Sequence, residues 1–121
     1  MRKTPLLLSV VVSMLTSHVL AEQDDHGFLE EAAKNNITIV QALRANDETA
    51  ITLQGEIVRL IKHEHYELKD TTGSMTIEVD DELATAEQLK AGTVVKVAGE
   101  IDTHRYKPTD IEVVKIEIIK P

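Results

Sequence analysis

Ile51-Thr52-Leu53-Gln54-Gly55-Glu56-Ile57-Val58-Arg59-Leu60-Ile61 alternates for its first seven residues and then changes phase. Ile51, Leu53, Gly55 and Ile57 fall on one side of an extended chain and Thr52, Gln54 and Glu56 on the other, the two-residue period of a strand with one face in a core. Val58, Leu60 and Ile61 follow on the opposite phase. A bend or bulge between Gly55 and Val58 accounts for both the glycine and the slip. Such a strand can serve two sheets.

The rest of the chain supplies four more strands. Tyr66 and Leu68 alternate with Glu67 and Lys69, and Met75, Ile77 and Val79 alternate with Thr76, Glu78 and Asp80. Between them Asp70-Thr71-Thr72-Gly73 predicts a hairpin turn, with the carboxylate holding the turn and the glycine at positive φ. Asp81 to Leu89 is locally helical in character, with Thr85 as its cap, and stops at Ala91-Gly92. The fourth strand is expected from Thr93 to Ile101 and the fifth from Ile111 to Ile119, with another slip at Val113-Val114. Upstream, Thr38 and Gln41 have the spacing of a capping box, and Ile39, Val40 and Leu43 share one face of a short helix ending near Asn46-Asp47. Its expected place is over one end of the sheet. Five short, bent strands favour closure, because a closed barrel exposes no pairing edge. The expected fold is mainly β, a small five-stranded OB-fold (oligonucleotide/oligosaccharide-binding) barrel with a short N-terminal capping helix, over residues 37–121. An open antiparallel sheet backed by that helix is the alternative.

The chain of 121 residues has room for one domain. Arg2 and Lys3, the apolar run Pro5 to Leu15, and Val19-Leu20-Ala21 before Glu22 have the layout of a secretory signal peptide. Ser13, Thr16, Ser17 and His18 interrupt the run short of the ~20 residues that span a bilayer. Residues 1–21 are therefore expected to be cleaved after Ala21, leaving a periplasmic protein with no stable membrane insertion. Loss of Arg2 and Lys3 takes the net charge from −8 to −10. Residues 22–36 are expected to form a flexible or weakly helical acidic leader. The absence of cysteine excludes disulfide scaffolds, zinc–thiolate sites and thiol nucleophiles.

Thr52-Leu53-Gln54-Gly55-Glu56-Ile57-Val58, Tyr66-Glu67-Leu68-Lys69-Asp70-Thr71-Thr72-Gly73, Met75-Thr76-Ile77-Glu78-Val79-Asp80, and Val97-Ala98-Gly99-Glu100-Ile101-Asp102 followed by Ile111-Glu112-Val113 resemble, in order and spacing, the bacterial OB-fold (BOF) family. These are periplasmic stress-tolerance proteins of the YgiW/YdeI type. The resemblance covers most of Ile37 to Ile119 and implies a non-catalytic barrel that binds a small or charged ligand and works in tolerance to peroxide, metal ions, acid or cationic peptides. It supplies no catalytic residues. Members often carry tryptophans between strands three and four and before strand five, where this chain has Glu82 to Leu89 and His104-Arg105-Tyr106.

Chemistry-bearing residues concentrate in two connections. Lys62-His63-Glu64-His65-Tyr66 links strands one and two, and Asp102-Thr103-His104-Arg105-Tyr106 links strands four and five. In an OB barrel these loops flank the usual binding face. His63 and His65 would point the same way on an extended chain. Together with His104 they are candidate ligands of a weakly bound divalent metal, with Asp102 or Glu64 completing the set. Tyr66, Tyr106, Glu64 and Asp102 are candidate ligand contacts. The acidic positions Glu67, Glu78, Asp80, Glu100 and Glu112 are expected to be solvated surface.

Charge also limits the partners. Nucleic acid needs a cationic track and aromatic platforms, and residues 22–121 offer an acidic chain with Phe28, Tyr66 and Tyr106 as their aromatics. The same charge attracts metal ions, cationic peptides and polyamines. Ser74 is the one serine of residues 22–121, it lies in a turn, and the glycines are scattered singly, so neither a nucleophile context nor a phosphate loop is present. The expected protein is a monomeric, non-catalytic binding module without a firm cofactor, taking a small or cationic ligand between the two loops. The alternative is an adaptor that docks an envelope protein through a sheet edge or the N-terminal helix.

Overall fold

The computed structural model describes residues 26–121. The candidate signal peptide, residues 1–21, lies outside the described residues, as do the first four residues of the leader. Among the described residues no helix is long and apolar enough to cross a membrane. The chain divides into two compact units, Met1–Glu30 and Glu31–Pro121. In the first, residues 26–30 are helical, and His26 Nε2 lies 2.8 Å from Glu30 Oε1 one turn on.

In the second unit ordered structure begins before Thr38. Residues 31–34 are helical and Ala32 is buried. The Ala32 carbonyl accepts the Thr52 hydroxyl at 2.8 Å, the Asn35 carbonyl accepts Thr52 N at 3.0 Å, and Ile37 N donates to Thr52 O at 2.9 Å. Asn35 Nδ2 also donates to Ala50 O at 3.0 Å. Of the two forms expected for the leader, flexible or weakly helical, residues 26–34 take the helical one, and its end is tied to Thr52 and Ala50. These anchors are mainly backbone groups, which leave little trace in composition.

Helix α1 (Ile39–Leu43) starts as its sequence predicts. Gln41 N donates to Thr38 Oγ1 and Thr38 N to Gln41 Oε1, a complete capping box. Two further orphan donors of the first turn are met from the β2–β3 hairpin: Ile39 N donates to Asp70 Oδ2 at 2.9 Å and Val40 N to Thr72 Oγ1 at 3.0 Å. The buried stripe is Ile39 and Ala42, while Leu43 is exposed. A helix this short covers the barrel with one stripe only.

The strands are β1 (Ala50–Lys62), β2 (His65–Asp70), β3 (Gly73–Glu78), β4 (Val94–Asp102) and β5 (Asp110–Lys120), closed in the order β1-β2-β3-β5-β4. The open-sheet alternative falls to one pairing: β3 and β5 run parallel, with Thr76 opposite Asp110, Ile77 opposite Ile111 and Glu78 opposite Glu112. β1 serves both sides, pairing with β4 from Ala50 to Glu56 and with β2 from Glu56 to Lys62. Its register shifts between Ile57 and Arg59, where the phase slip predicts a bulge. The slip at Val113-Val114 is also a register shift, opposite Ala98 and Gly99.

Alternation delivers the core. Ile51, Leu53, Ile57, Tyr66, Leu68, Ile77, Val95, Val97, Ile101 and Ile111 are fully buried, and burying each such side chain contributes about 1.5–3 kcal/mol. Gly55 and Gly99 allow strands to approach where the barrel bends. A Cβ on Gly55 would sit 2.6 Å from the Lys69 carbonyl oxygen, and one on Gly99 2.5 Å from that of Glu112. Gly73 differs from expectation, since it opens β3 without the positive φ that the hairpin reading assigned to it.

Between β3 and β4 the chain makes turns rather than the expected helix. Thr85 and Gln88 form the reciprocal cap, with Thr85 N donating to Gln88 Oε1 and Gln88 N to Thr85 Oγ1. Two separate turns form, from Asp80 and from Thr85, and in the first Asp80 Oδ1 takes Glu82 N in a local side-chain turn that competes with helix. Ala84 and Leu89 are buried from this segment.

Candidate functional site

His63 and Glu64 form the turn from β1 to β2, with Glu64 in the left-handed region at φ 64°. The chain is therefore not extended through His63-Glu64-His65, and the two imidazoles do not point together. His65 Nδ1 lies 2.9 Å from the His63 carbonyl. His63 Nε2, on a side chain 77% exposed, faces Asp81 Oδ2 at 3.3 Å and Glu64 Oε2 at 3.9 Å. Glu64 clamps the β3–β4 connection: its carbonyl accepts Val79 N at 2.8 Å and its Oε2 accepts Asp81 N at 2.9 Å.

Tyr66 requires a correction. Its ring is a core element, 1% exposed, and does not face a ligand surface. The alternation that turns Leu68 inward turns Tyr66 inward with it. Burial, with Asp81 and Glu64 adding to it, holds the Tyr66 hydroxyl above its ordinary pKa. Tyr106, by contrast, stands free in solvent at 92% exposure.

In the β4–β5 connection His104 Nε2 lies 3.5 Å from Asp102 Oδ2 and 3.4 Å from Asp110 Oδ2. Of the three predicted ligands, His63 lies with Glu64 and Asp81, His104 lies with Asp102 and Asp110, and His65 joins neither group. They do not gather round one point. The two loops do adjoin, however, because Ile61, Lys62 and His65 share a concavity of about 130 Å³ with Thr76, Lys107, Pro108 and Asp110.

A larger feature is one the sequence reading passed over as solvated surface. Strand register puts Glu78 opposite Glu112 and Glu112 opposite Glu100, a row of three carboxylates across β3, β5 and β4. A concavity of about 310 Å³ opens at one end of the row, lined by Glu64, Glu78, Asp80, Glu82, Glu112 and the apolar Leu83 and Val113. Among the described residues no cationic side chain lines it. At the other end Glu100 has its pKa raised, first by burial and then by the like charges of Glu48, Glu112, Asp47 and Asp102. Like charges placed directly opposite across strands oppose pairing, so the row is maintained at a cost to stability.

With barrel and carboxylates in place, the comparisons with known proteins can be set beside them. The profile described as "Bacterial OB fold (BOF) protein" matches residues 16–118. The chain belongs to this family. Among BOF relatives, the calcium-regulated OB-fold protein CarO of Pseudomonas aeruginosa is 40% identical over 89 residues, 74% of this chain and 76% of CarO. Protein YgiW of Escherichia coli K12 is 27% identical over 84 residues, 69% of this chain and 64% of YgiW. The solved structure of YgiW from E. coli superposes with a TM-score of 0.63 at 24% identity, over 70% of this chain and 96% of that one, and so supports the fold. CarO is described as an OB-fold protein, in keeping with the family profile.

Proposed function

We propose that this chain is a non-catalytic periplasmic binding protein of envelope stress tolerance, and that it takes a small cationic ligand on the acidic face of β3, β5 and β4. The observation that carries the proposal is the concavity lined by Glu64, Glu78, Asp80, Glu82 and Glu112 without a balancing cation. A carboxylate row that opposes its own strand pairing is better explained by a ligand than by solubility, which scattered charges would provide as well. The same field repels phosphate backbones, which argues against nucleic acid despite the barrel type. The relative CarO is described as calcium-regulated, which makes calcium a natural probe beside polyamines and cationic peptides. Ser74 is exposed at the start of β3, a poor setting for a nucleophile. The adaptor alternative, docking through a sheet edge or the N-terminal helix, draws less support: closure removes part of the strand edge it could use, and docking leaves the acidic concavity unexplained.

Calorimetry tests this with the protein as the cell processes it, titrated with calcium, spermine and an oligolysine peptide. At least one should bind, more weakly as salt rises, and Glu78→Gln with Glu112→Gln should weaken it at least about tenfold if two desolvated charge contacts are lost. Binding that is indifferent to both substitutions, or no binding by any of the three, would refute the acidic face as the site.

A further inference from the structure

The β4–β5 connection holds an arrangement that the acidic concavity does not use. Asp102 and Asp110 face each other as register partners at the ends of β4 and β5, and Asp110 is held on its other side by pairing with Thr76. Asp110 is 5% exposed. Its Oδ1 and the Nε2 of His104 are both buried and make no hydrogen bond with any described residue. The His104 Nε2 separations of 3.5 and 3.4 Å from the two aspartates exceed the roughly 2.7–2.9 Å of a charge-assisted hydrogen bond. A buried carboxylate with an unmet oxygen is unfavourable unless a cation takes its lone pairs.

We propose that Asp102, His104 and Asp110 bind a divalent transition-metal ion, zinc in the first instance, through His104 Nε2 and one oxygen of each aspartate. Ligand atoms on a tetrahedral ion with bonds of about 2.0–2.2 Å stand about 3.3–3.6 Å apart, and both nitrogen–oxygen separations fall within that range. Octahedral neighbours at the same bond lengths would stand only about 2.8–3.1 Å apart. Calcium's longer bonds would also span the distances, but calcium takes oxygen ligands, and the imidazole selects against it. Two carboxylates and a neutral imidazole balance the ion's charge. The aspartates sit on paired strands, so only His104 comes from the connection. Asp110 also lines the adjoining concavity. Lys62 and Lys107 line it as well and set the site toward modest affinity.

This site stands independently of the acidic face. The test is competition for zinc between the protein as the cell processes it and a chromophoric chelator, with cobalt as a spectroscopic substitute. One ion should bind per chain, cobalt should show the intense visible bands of tetrahedral coordination, and zinc should raise Tm. His104→Gln and Asp110→Asn should each weaken zinc at least about tenfold, the loss that even an outer-shell partner can bring. His63→Gln should leave it unchanged. Should Asp110→Asn misfold, His104→Gln decides alone, since that side chain lies in the connection. Absence of zinc binding, wild-type affinity in His104→Gln, or loss of binding in His63→Gln would overturn the assignment. The acidic concavity is lined by none of Asp102, His104 and Asp110, so failure of one site leaves the other standing.

Discussion

Asp70 shows how one carboxylate can hold two elements together. Its oxygens accept Thr72 N, the Thr72 hydroxyl and Gly73 N within the β2–β3 turn, and Ile39 N at the start of α1. Burial pushes the Asp70 pKa up, but these hydrogen bonds outweigh it and hold it below the ordinary value. Its stabilisation is therefore complete above the ordinary aspartate value of about 4 and is lost as pH falls through that value toward the lower folded one. Asp70→Asn should cost about 1.5–3 kcal/mol at neutral pH, read as a fall in Tm, and should flatten the acid limb of stability. Glu100 has the opposite sign. Its pKa is raised, so its ionised form weakens the fold at neutral pH, and the penalty is relieved as pH falls through the raised value toward the ordinary one. Glu100→Gln should gain a few tenths to about 1 kcal/mol at neutral pH and remove that relief from thermal melts taken across the acid range. An unchanged or lower Tm would contradict the account of the carboxylate row.

Among the elements, the bent strands set the strictest limits. Gly99→Ala would drive a Cβ to 2.5 Å from the Glu112 carbonyl oxygen and 2.7 Å from Ile111 Cγ2, and it should cost at least about 1–3 kcal/mol by forcing β4 from β5. Gly73→Ala meets only Ile39 Cγ2 at 3.8 Å without a left-handed φ, and it should be neutral or stabilise by up to about 1 kcal/mol through the unfolded chain. Chemical denaturation of the pair checks the contrast. These elements were largely legible beforehand. The Thr38–Gln41 cap and the slips at Val58 and Val113-Val114 are local patterns, and each has its structural counterpart. The link at His63-Glu64 was legible, but its tight left-handed form was not, because a left-handed glutamate carries no glycine or asparagine signal. Tyr66 was legible as core from its alternation with Leu68, but its place beside the histidines drew it into a ligand set.

Across the whole molecule, closure decides the chemistry. Glu78, Glu100 and Glu112 lie on three different strands, and the parallel β3–β5 and antiparallel β4–β5 registers together bring them into one row. No periodicity within a single strand encodes that pairing, so the acidic face was invisible while the barrel was not. For the same reason Asp110 reads as a polar residue before a strand and turns out buried. Glu78, Glu112 and Glu100 stand in one row beside further carboxylates of the concavity, so raising monovalent salt from about 10 to 150 mM should raise Tm by screening repulsion within a Debye length near 8 Å. A Tm that falls with salt would mean that attractive pairs dominate instead.

The central claim is that this carboxylate face receives a cation, and backbone amide NMR during titration with calcium, spermine or oligolysine tests it most directly. The account predicts saturable shifts at Glu78, Asp80, Glu82, Glu112 and Val113, with the α1 end of the barrel unmoved. Saturable shifts confined to other surfaces, or none with any of the three, would contradict it.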